Sequence, residues 1–525
     1  MKKDVQRHDQ EELQQRARDV LHIEILPGTE IMTDAPRRDG DEDLSASHAV
    51  LVPQPSDSAH DPLSWSPFWK ASAIVASSSV TFTQGFASLA LAPMFPFLMD
   101  DFNRSLADVI KFTGVIILIL GFSNFVWQVA RSAHSTGVPL ATSKGRRVVL
   151  IASQVLCLAS YIWRAKATSY TSFMGSIILN GVGAGPAETL QPTVIADLFF
   201  LDDRGKWNTL YWVIYMGSLM IAPVISGTMA EHSGWPSFFW LCAGLTSLSL
   251  LIVLFGFPET IWHRARDDGR GSGNGDWAAK SSDPALQDVV HDAREPGRPQ
   301  ESWIGRGRPN REQWQIFQTT PLTWRLVWHE VWMPWRIFLF PIVLFASFAV
   351  SWSCSGLLII NLTQSQVFSA PPYNWSAQSV GFTSLPLFVG AIIGLVTAGP
   401  FSDWVCARAT ARNGGVREPE MRLPAMIPYI VLMMLGHVVP AIGYQQKWPW
   451  QAIVIVGYTC TGIQVAGLPS IASTYAVDSY KPVAGALFVA ITVNKNVWGY
   501  GMAEFVTAWS EEAGYVRHLN HEPDV

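Results

Sequence analysis

Long apolar stretches recur along this sequence and decide what it can fold into. A bilayer core is about 30 Å thick, and a helix needs roughly 20 mostly apolar residues to cross it. Eleven such stretches lie between residues 71 and 509, six before a hydrophilic gap and five after it. Backbone polar groups in hydrocarbon must bond internally, so stretches of this length indicate helices rather than barrel strands. The sequence therefore predicts an all-α integral membrane protein.

The predicted spans fall into two blocks. The first block holds residues 71–99, 112–143, 148–163, 169–196, 210–230 and 238–257, and the second holds 337–361, 380–402, 423–444, 448–477 and 483–509. We expect five regions: a polar cytoplasmic tail (1–66), a six-helix bundle (67–261), a cytoplasmic central loop (262–336), a five-span bundle (337–509) and a polar tail (510–525). Arg164 and Lys166 are expected to snorkel at the end of the short third span.

Composition excludes several classes of protein. Charged residues make up 15% of the chain and the net charge is −5, which does not suggest nucleic acid binding. The five cysteines show no metal-ligand spacing, and the spans show no nucleophile–base set. We therefore expect no enzymatic activity, no metal and no cofactor. The polar N-terminal region contains no cleavable signal peptide, so the first span is expected to act as its own insertion signal.

Loop charge and glycosylation triplets predict the orientation. Lys and Arg are more frequent in the loops that are cytoplasmic if the N-terminus lies inside. The Asn-x-Ser/Thr triplets at Asn103, Asn361 and Asn374 all fall on the predicted outer side, unless this is coincidence. We expect glycosylation at Asn103 and Asn374, because Asn361 sits too close to the membrane. The plasma membrane is the expected location, with the vacuolar membrane as the alternative.

The central loop has two compositions. Residues 270–275 are typical of a flexible Gly- and Ser-containing linker. Toward its end, Trp324, Trp328, Trp332 and Trp335 recur at helical spacing. This pattern favours a helix lying in the membrane interface before the seventh span, and an aromatic ligand box is the alternative.

Three motifs point to a known family. The fifth span contains Gly217, Pro223 and Gly227 among small residues, which permits close helix approach and a bend. Two loops carry related gating sequences, the first at Gly145, Arg146 and Arg147 and the second at Gly399, Asp403 and Arg408. The order of these motifs resembles the major facilitator superfamily, and specifically its fungal drug:proton antiporter-like branch.

The resemblance implies a fold and roles for these residues. It implies two pseudo-symmetric helical bundles with a substrate site between them at mid-membrane. The fifth-span sequence looks like the antiporter motif, for which a kinked packing helix is the alternative. In the gating motif an acid pairs with basic residues. Asp403 fits that role, whereas Thr142 stands where the first copy would carry its acid, and ordinary positive-inside anchoring remains open for both copies. In the fourth span, Ile177 stands where the family usually has an arginine linked to proton coupling.

Ionisable side chains inside spans are functional candidates, because each costs about 2.5–3.5 kcal/mol at a helix centre. Glu188 in the fourth span is the candidate for proton coupling, with a structural hydrogen-bonded role as the alternative. Lys495 in the eleventh span is a candidate for substrate binding or for an interhelical pair. The polar candidates for the cavity, for which interhelical packing is the alternative, are Asn494, Gln84, Asn124, Trp127, Tyr215 and Gln464.

Two features depart from the family pattern of twelve spans. Residues 128–137 are polar, contain Arg131 and His134, and interrupt the second span, as a real insertion or a misread splice junction would. No apolar stretch follows residue 509, so the expected twelfth span is missing. A truncated sequence, a compensating oligomer or an inactive product are the alternatives, and the oligomeric state stays open.

The sequence as a whole predicts a proton-coupled exporter of small organic compounds, such as drugs, toxins or secondary metabolites, in a lipid bilayer. Alternating access of the two bundles is the expected mechanism. Multidrug resistance is the associated phenotype that the resemblance implies. The alternatives are proton-coupled uptake of a nutrient or polyamine, a membrane sensor, and an inactive truncated relative.

Overall fold

A computed structural model describes residues 30–31, 56, 58–132, 145–262, 303–315, 332, 334–413, 416–479 and 484–513. The helices of the first half are α1 (Pro67–Phe86), α2 (Phe95–Phe102), α3 (Leu106–Ser132), α4 (Arg146–Ala165), α5 (Tyr170–Ala184), α6 (Pro186–Leu198), α7 (Leu201–Ser233) and α8 (Trp235–Gly256). Those of the second half are α9 (Pro341–Ser369), α10 (Ala377–Phe382), α11 (Ser384–Arg412), α12 (Ile427–Gln446), α13 (Thr459–Ser479) and α14 (Ala484–Ala513).

Several predicted spans are broken helices. The first span is α1, a 3₁₀ turn at Ala92–Met94 and then α2. The fourth span breaks between α5 and α6, where Gly185 is followed by a proline that opens α6. The eighth span is α10 followed by α11, and the tenth begins with π-helical residues Ala452–Tyr458 before α13. These breaks lie inside apolar runs, so hydropathy alone does not locate them.

Within the described ranges, eight helical segments are long and apolar enough to cross a membrane. They match the second, third and fifth to tenth predicted spans. The first span falls outside this set, since α1 carries serines, threonines and Gln84 along its length. The fourth is divided into helices of 15 and 13 residues. The eleventh, α14, carries Asn494, Lys495 and Asn496 near its middle.

Polar pairs hold the helices of the first bundle together. The Thr81 hydroxyl donates to Gln191 at 2.7 Å, linking α1 to α6. Gln84 donates to Ser153 at 2.9 Å, linking α1 to α4. Lipid provides little hydrophobic force between helices, so such hydrogen bonds and close packing drive their association. The polar residues of α1 therefore face neighbouring helices.

Arg164 corrects the prediction that it would snorkel. Its side chain is fully buried near the end of α4, and its guanidinium lies over the rings of Phe239, Phe173 and Tyr161 at 5.1, 5.7 and 5.8 Å. The helix continues to the next residue, which turns position 164 toward α8 instead of the interface. Lys166, one residue beyond the helix, is exposed as expected.

The two ends of the helical assembly differ in charge. One end, which we term the basic end, carries Arg146, Arg147 and Arg422. At the opposite end, which we term the far end, lie the loops at residues 103–105, 166–169 and 370–376. The Arg104 guanidinium lies over the ring of Tyr170 at 5.2 Å, which links the loop at residues 103–105 to the start of α5.

The two bundles pack against each other through α3 with α14 and through α7 with α10 and α11. At the far end the backbone amide of Gln378 donates to Glu231 at 3.0 Å. A Cβ atom on Gly381 of α10 would lie 2.5 Å from the Pro223 carbonyl oxygen of α7, so the backbones of these two helices are in contact. The described structure is therefore closed between the bundles at its far end.

Part of the central loop is ordered against the first bundle, which the linker composition did not predict. The backbone of Gly307 exchanges hydrogen bonds with residues 64 and 66, and Arg308 donates to the carbonyl of residue 59. Trp314 lies under the Arg147 guanidinium at 5.0 Å. Residues 303–315 are thus fastened to the segment before α1 at the basic end.

Other predictions concern residues at the edge of the described ranges. Trp324 and Trp328 of the expected interfacial helix lie outside them, while Trp335 stacks on Phe125 with ring centres 5.4 Å apart. Helix α3 continues through Ser132, so the polar insert begins as helix, and residues 133–144, including Thr142, are outside the described part. In the tail, α14 extends to Ala513. Two short strands, β1 (Glu30–Ile31) and β2 (Val416–Arg417), pair antiparallel.

Candidate functional site

Glu188 lies in the first turn of α6, immediately after the break in the fourth span. At Gly185 the backbone passes so close to Ser123 of α3 that a side chain there would collide with the serine hydroxyl. Pro186 then starts the new helix. The break therefore places an acid in the first turn of α6, inside the predicted fourth span.

Lys495 of α14 reaches the same point from the other bundle. Its Nζ lies 2.5 Å from Oε1 of Glu188, and the two side chains are 19% and 7% exposed. The Tyr215 hydroxyl of α7 donates to Oε1 at 2.7 Å, and Asn496 Nδ2 donates to Oε2 at 3.2 Å. The structure thus joins the two intramembrane ionisable candidates in one ion pair that bridges the bundles.

The surroundings of the pair are largely aromatic on one side. Tyr211 and Tyr215 have nearly parallel rings with centres 6.1 Å apart, and Trp212 meets Tyr215 edge to face. The Tyr211 hydroxyl donates to the backbone carbonyl of Glu188 at 3.2 Å. The site is therefore a charged centre with aromatic rings of α7 on one side.

Most of the uncharged cavity candidates make hydrogen bonds between helices. Gln464 accepts from Ser353 at 2.6 Å, and Asn494 donates to Ser351 at 2.9 Å. Asn124 accepts from Thr189 at 3.0 Å. Trp127 donates to the Val182 carbonyl at 2.7 Å, and Gln84 bonds Ser153 as described above. Such contacts are those expected if these residues serve interhelical packing rather than a substrate cavity. Tyr215 differs from them, because its hydroxyl bonds the Glu188 carboxylate.

The antiporter-like motif faces the second bundle. A side chain at Gly227 of α7 would collide with the carbonyl oxygen of Ala377 at the start of α10. At Gly217, a Cβ would lie 3.1 Å from the ring of Phe388. Pro223 presents its carbonyl to Gly381, as described above. The small residues of the motif therefore permit close contact between the bundles.

At the first gating sequence the acids come from other spans. Arg146 pairs with Asp197 at the end of α6, with Nε 2.8 Å from Oδ2. Oxygens of Glu259 accept from the backbone amides of Arg146 and Arg147 at 3.0 and 3.1 Å. Gly145, with φ at +142°, leaves no room for a side chain beside Glu259. Asp197 and Glu259, from other parts of the chain, thus supply the carboxylates that contact the first gating sequence.

At the second gating sequence the basic partner differs from the prediction. Asp403 pairs with Arg422, whose Nη1 lies 2.7 Å from Oδ1, and Arg422 Nε also lies 2.9 Å from Asp478. Arg408 instead lies over the ring of Trp404 at 5.5 Å. The reason is geometric, since Arg408 is five residues from Asp403 along α11, whereas Arg422 approaches from the turn before α12. At Gly399 nothing lies within 4 Å of an added Cβ.

Sequence reasoning missed a repeat that relates these two networks. Arg146 stands at the start of the third span and Asp197 at the end of the fourth. Arg422 and Asp478 occupy the corresponding positions of the ninth and tenth spans. A comparison of equivalent span ends in the two halves would have found this pairing, because related bundles place equivalent residues together.

The comparisons with known proteins agree with this architecture. The model of the family described as Major Facilitator Superfamily matches residues 77–497. An uncharacterized MFS-type transporter of Schizosaccharomyces pombe is 24% identical, over 94% of this chain and 88% of the relative. Protein HOL1 of Saccharomyces cerevisiae is 24% identical, over 90% and 87%.

Further similar proteins include a relative and a solved structure. The efflux pump radE of Floropilus chiversii is 24% identical, over 93% of this chain and 84% of the relative. Among solved structures, the proton:xylose symporter XylE has a TM-score of 0.51 at 12% identity, over 86% of this chain and 91% of the other. That likeness concerns the fold alone. With the family model matching most of its length, this chain belongs to the major facilitator superfamily of membrane transporters, which are not enzymes.

Proposed function

We propose that this transporter exports small organic compounds in exchange for protons by alternating access. The observation that carries the proposal is the ion pair between Glu188 and Lys495, which joins the two bundles near the middle of the membrane. A coupling group must respond to a proton and must also contact parts that move relative to each other. Glu188 is a carboxylate that contacts both bundles, and we assign it this role.

The proton step follows from the charges at the pair. A proton that binds Glu188 removes the negative charge that holds Lys495, Tyr215 and Asn496 in place. The attraction between the bundles falls, and the state that is closed at the far end loses one of its contacts. Loss of the proton on the other side of the membrane restores the pair. Proton movement is thereby linked to rocking of the bundles.

The direction of transport is supported by relatives and by the antiporter-like motif. One relative is named an efflux pump, and another a probable efflux pump. The motif residues Gly217 and Gly227 lie at the contact between the bundles, where they favour closure of the far end. With the N-terminus inside, the far end faces outward. We place the protein in the plasma membrane.

Cellular retention tests the proposal. Cells that express the chain are loaded with a panel of fluorescent apolar compounds, and retention is measured with and without a protonophore. Export predicts that at least one compound is retained less than in control cells, and that the protonophore restores its retention. The E188Q variant is expected to behave like control cells, because amide cannot carry the proton.

A second carboxylate supplies the control. Glu504 is exposed in α14, so E504Q is expected to export normally. Retention that falls when the protonophore is added would indicate uptake coupled to protons. Normal export by E188Q would remove Glu188 from the coupling step.

A further inference from the structure

The ion pair leaves hydrogen-bonding capacity unused on one partner. An ammonium group has three N–H donors. Within the described part of the chain, Lys495 Nζ bonds one acceptor, Oε1 of Glu188. Two donors of Lys495 thus remain for another molecule.

Glu188 has few free hydrogen-bond acceptor sites. An ionised carboxylate has about four acceptor sites. Three are taken, by Lys495 and Tyr215 on Oε1 and by Asn496 on Oε2. Its side chain is also the less exposed of the two, at 7% against 19% for Lys495. The site therefore offers donors rather than acceptors to a bound compound.

A cationic substrate meets an unfavourable arrangement here. To reach Glu188 it would have to displace the Lys495 ammonium, which would then lack a counter-charge within the membrane. A second cation beside Lys495 would be repelled by it. An acceptor group, by contrast, can bind the free N–H donors while the ion pair stays intact.

We propose that the substrates present a hydrogen-bond acceptor, a carbonyl or a carboxylate, to Lys495, and that organic cations are rejected. This rests on the proposed function in placing the substrate at the ion pair. The half-buried Trp212 ring, packed edge to face on Tyr215, favours an apolar or aromatic body attached to that acceptor. Lys495 is thus the residue that determines the chemical class of substrate.

Matched probes on the purified full-length chain test this inference. The probes are 2-naphthoic acid, its methyl ester and 2-naphthylmethylamine, which share a ring system and differ in the polar group. Binding is measured by ligand-dependent thermal stabilisation in detergent. We expect the acid and the ester to bind and the amine not to bind.

Variants of the pair sharpen the test. E188Q frees Lys495 from its counter-charge, so the acid should bind about tenfold more tightly, whereas K495M should weaken the acid and the ester about tenfold or more. K495R keeps the donors and should retain binding. K495M alone leaves Glu188 as an unpaired buried charge, which could disturb folding. The double variant E188Q/K495M has no unpaired charge at this position, so a loss of acid and ester binding in it is due to the missing ammonium group.

The opposite pattern would overturn the inference. It fails if the amine binds the wild type and E188Q abolishes that binding. It also fails if the acid and the ester bind K495M as tightly as they bind the wild type, or if they bind neither protein. Proton coupling is judged separately by the retention experiment, in which E188Q loses export. Acid binding can therefore survive a failed coupling proposal, and coupling can survive a failed substrate class.

Discussion

At the scale of single residues, charge pairing inside the membrane organises this transporter. An unpaired ionisable group at a helix centre costs about 2.5–3.5 kcal/mol, and pairing offsets part of that cost. Glu188 and Lys495 illustrate this inside the fourth and eleventh predicted spans. At the basic end, Arg422 joins two acids, Asp403 and Asp478, from separate helices. Arg408, on the same helix as Asp403, packs on a tryptophan instead.

The contrast between Arg422 and Arg408 gives a prediction. Asp403 is 67% exposed, so solvent screens its pair with Arg422, but the pair with the less exposed Asp478 adds to it. R422A is expected to destabilise the protein by about 1–3 kcal/mol and to reduce export. R408A should lower stability by about 1 kcal/mol or less. Thermal unfolding in detergent and compound retention in cells measure both effects, and equal losses in the two variants would contradict this assignment.

The sequence contains the charged residues of the site but not their pairing. Glu188 and Lys495 stand out because each interrupts an apolar run, yet 307 positions separate them. Only the packing of α6 against α14 brings them together. Arg164 shows the opposite failure, since its position at a span end suggested the interface. Aromatic rings from α4, α5 and α8 bury it, and the sequence around residue 164 does not show that these three helices pack together there.

At the scale of elements, breaks in helices position the functional groups. The α5–α6 break sets Glu188 on a helix N-terminus, and the α10–α11 break accompanies the contact with α7. Span positions follow from hydropathy, because every predicted span coincides with helix in the described residues. The breaks were less visible, although the Gly185-Pro186 pair is a sequence signal for one of them. The segment at 303–315 is rich in polar residues and glycine, so its composition does not reveal its contact with the first bundle.

Contact between α7 and α10 can be tested at one glycine. A methyl group at Gly227 would collide with the Ala377 carbonyl, so G227A should weaken closure at the far end. Gly244 of α8 has nothing within 4 Å of an added Cβ, so G244A is the matched control and should be neutral or stabilising by up to about 1 kcal/mol. Cysteines introduced at positions 231 and 378 report closure by their cross-linking. Undiminished cross-linking in G227A would contradict the close approach.

At the scale of the whole molecule, the two ends have different chemistry. The basic end carries the two arginine–aspartate networks, which suits the cytoplasmic side. The far end carries Asn103 and Asn374, both exposed and both with positive φ in tight turns. Asn361 is buried and donates to the Leu89 carbonyl at 3.3 Å.

Glycan attachment tests this orientation. We expect an endoglycosidase to shift the electrophoretic mobility of the protein expressed in a fungal cell, and the shift to disappear in N103Q/N374Q. The N361Q variant should keep the shift, because a buried asparagine cannot accept a glycan. A wild type without a shift would remove this support for an external far end. A shift that depends on Asn361 would contradict its buried position.

The most direct test of proton coupling measures the distance between the bundles. Spin labels at residues 168 and 370, exposed far-end positions in different bundles, are observed by double electron–electron resonance as the pH is lowered from neutral. The account predicts that the wild type gains a longer distance population in acid, and that E188Q shows this population at every pH. An E188Q protein whose distances respond to pH as the wild type does would contradict the claim that Glu188 couples protons to bundle movement.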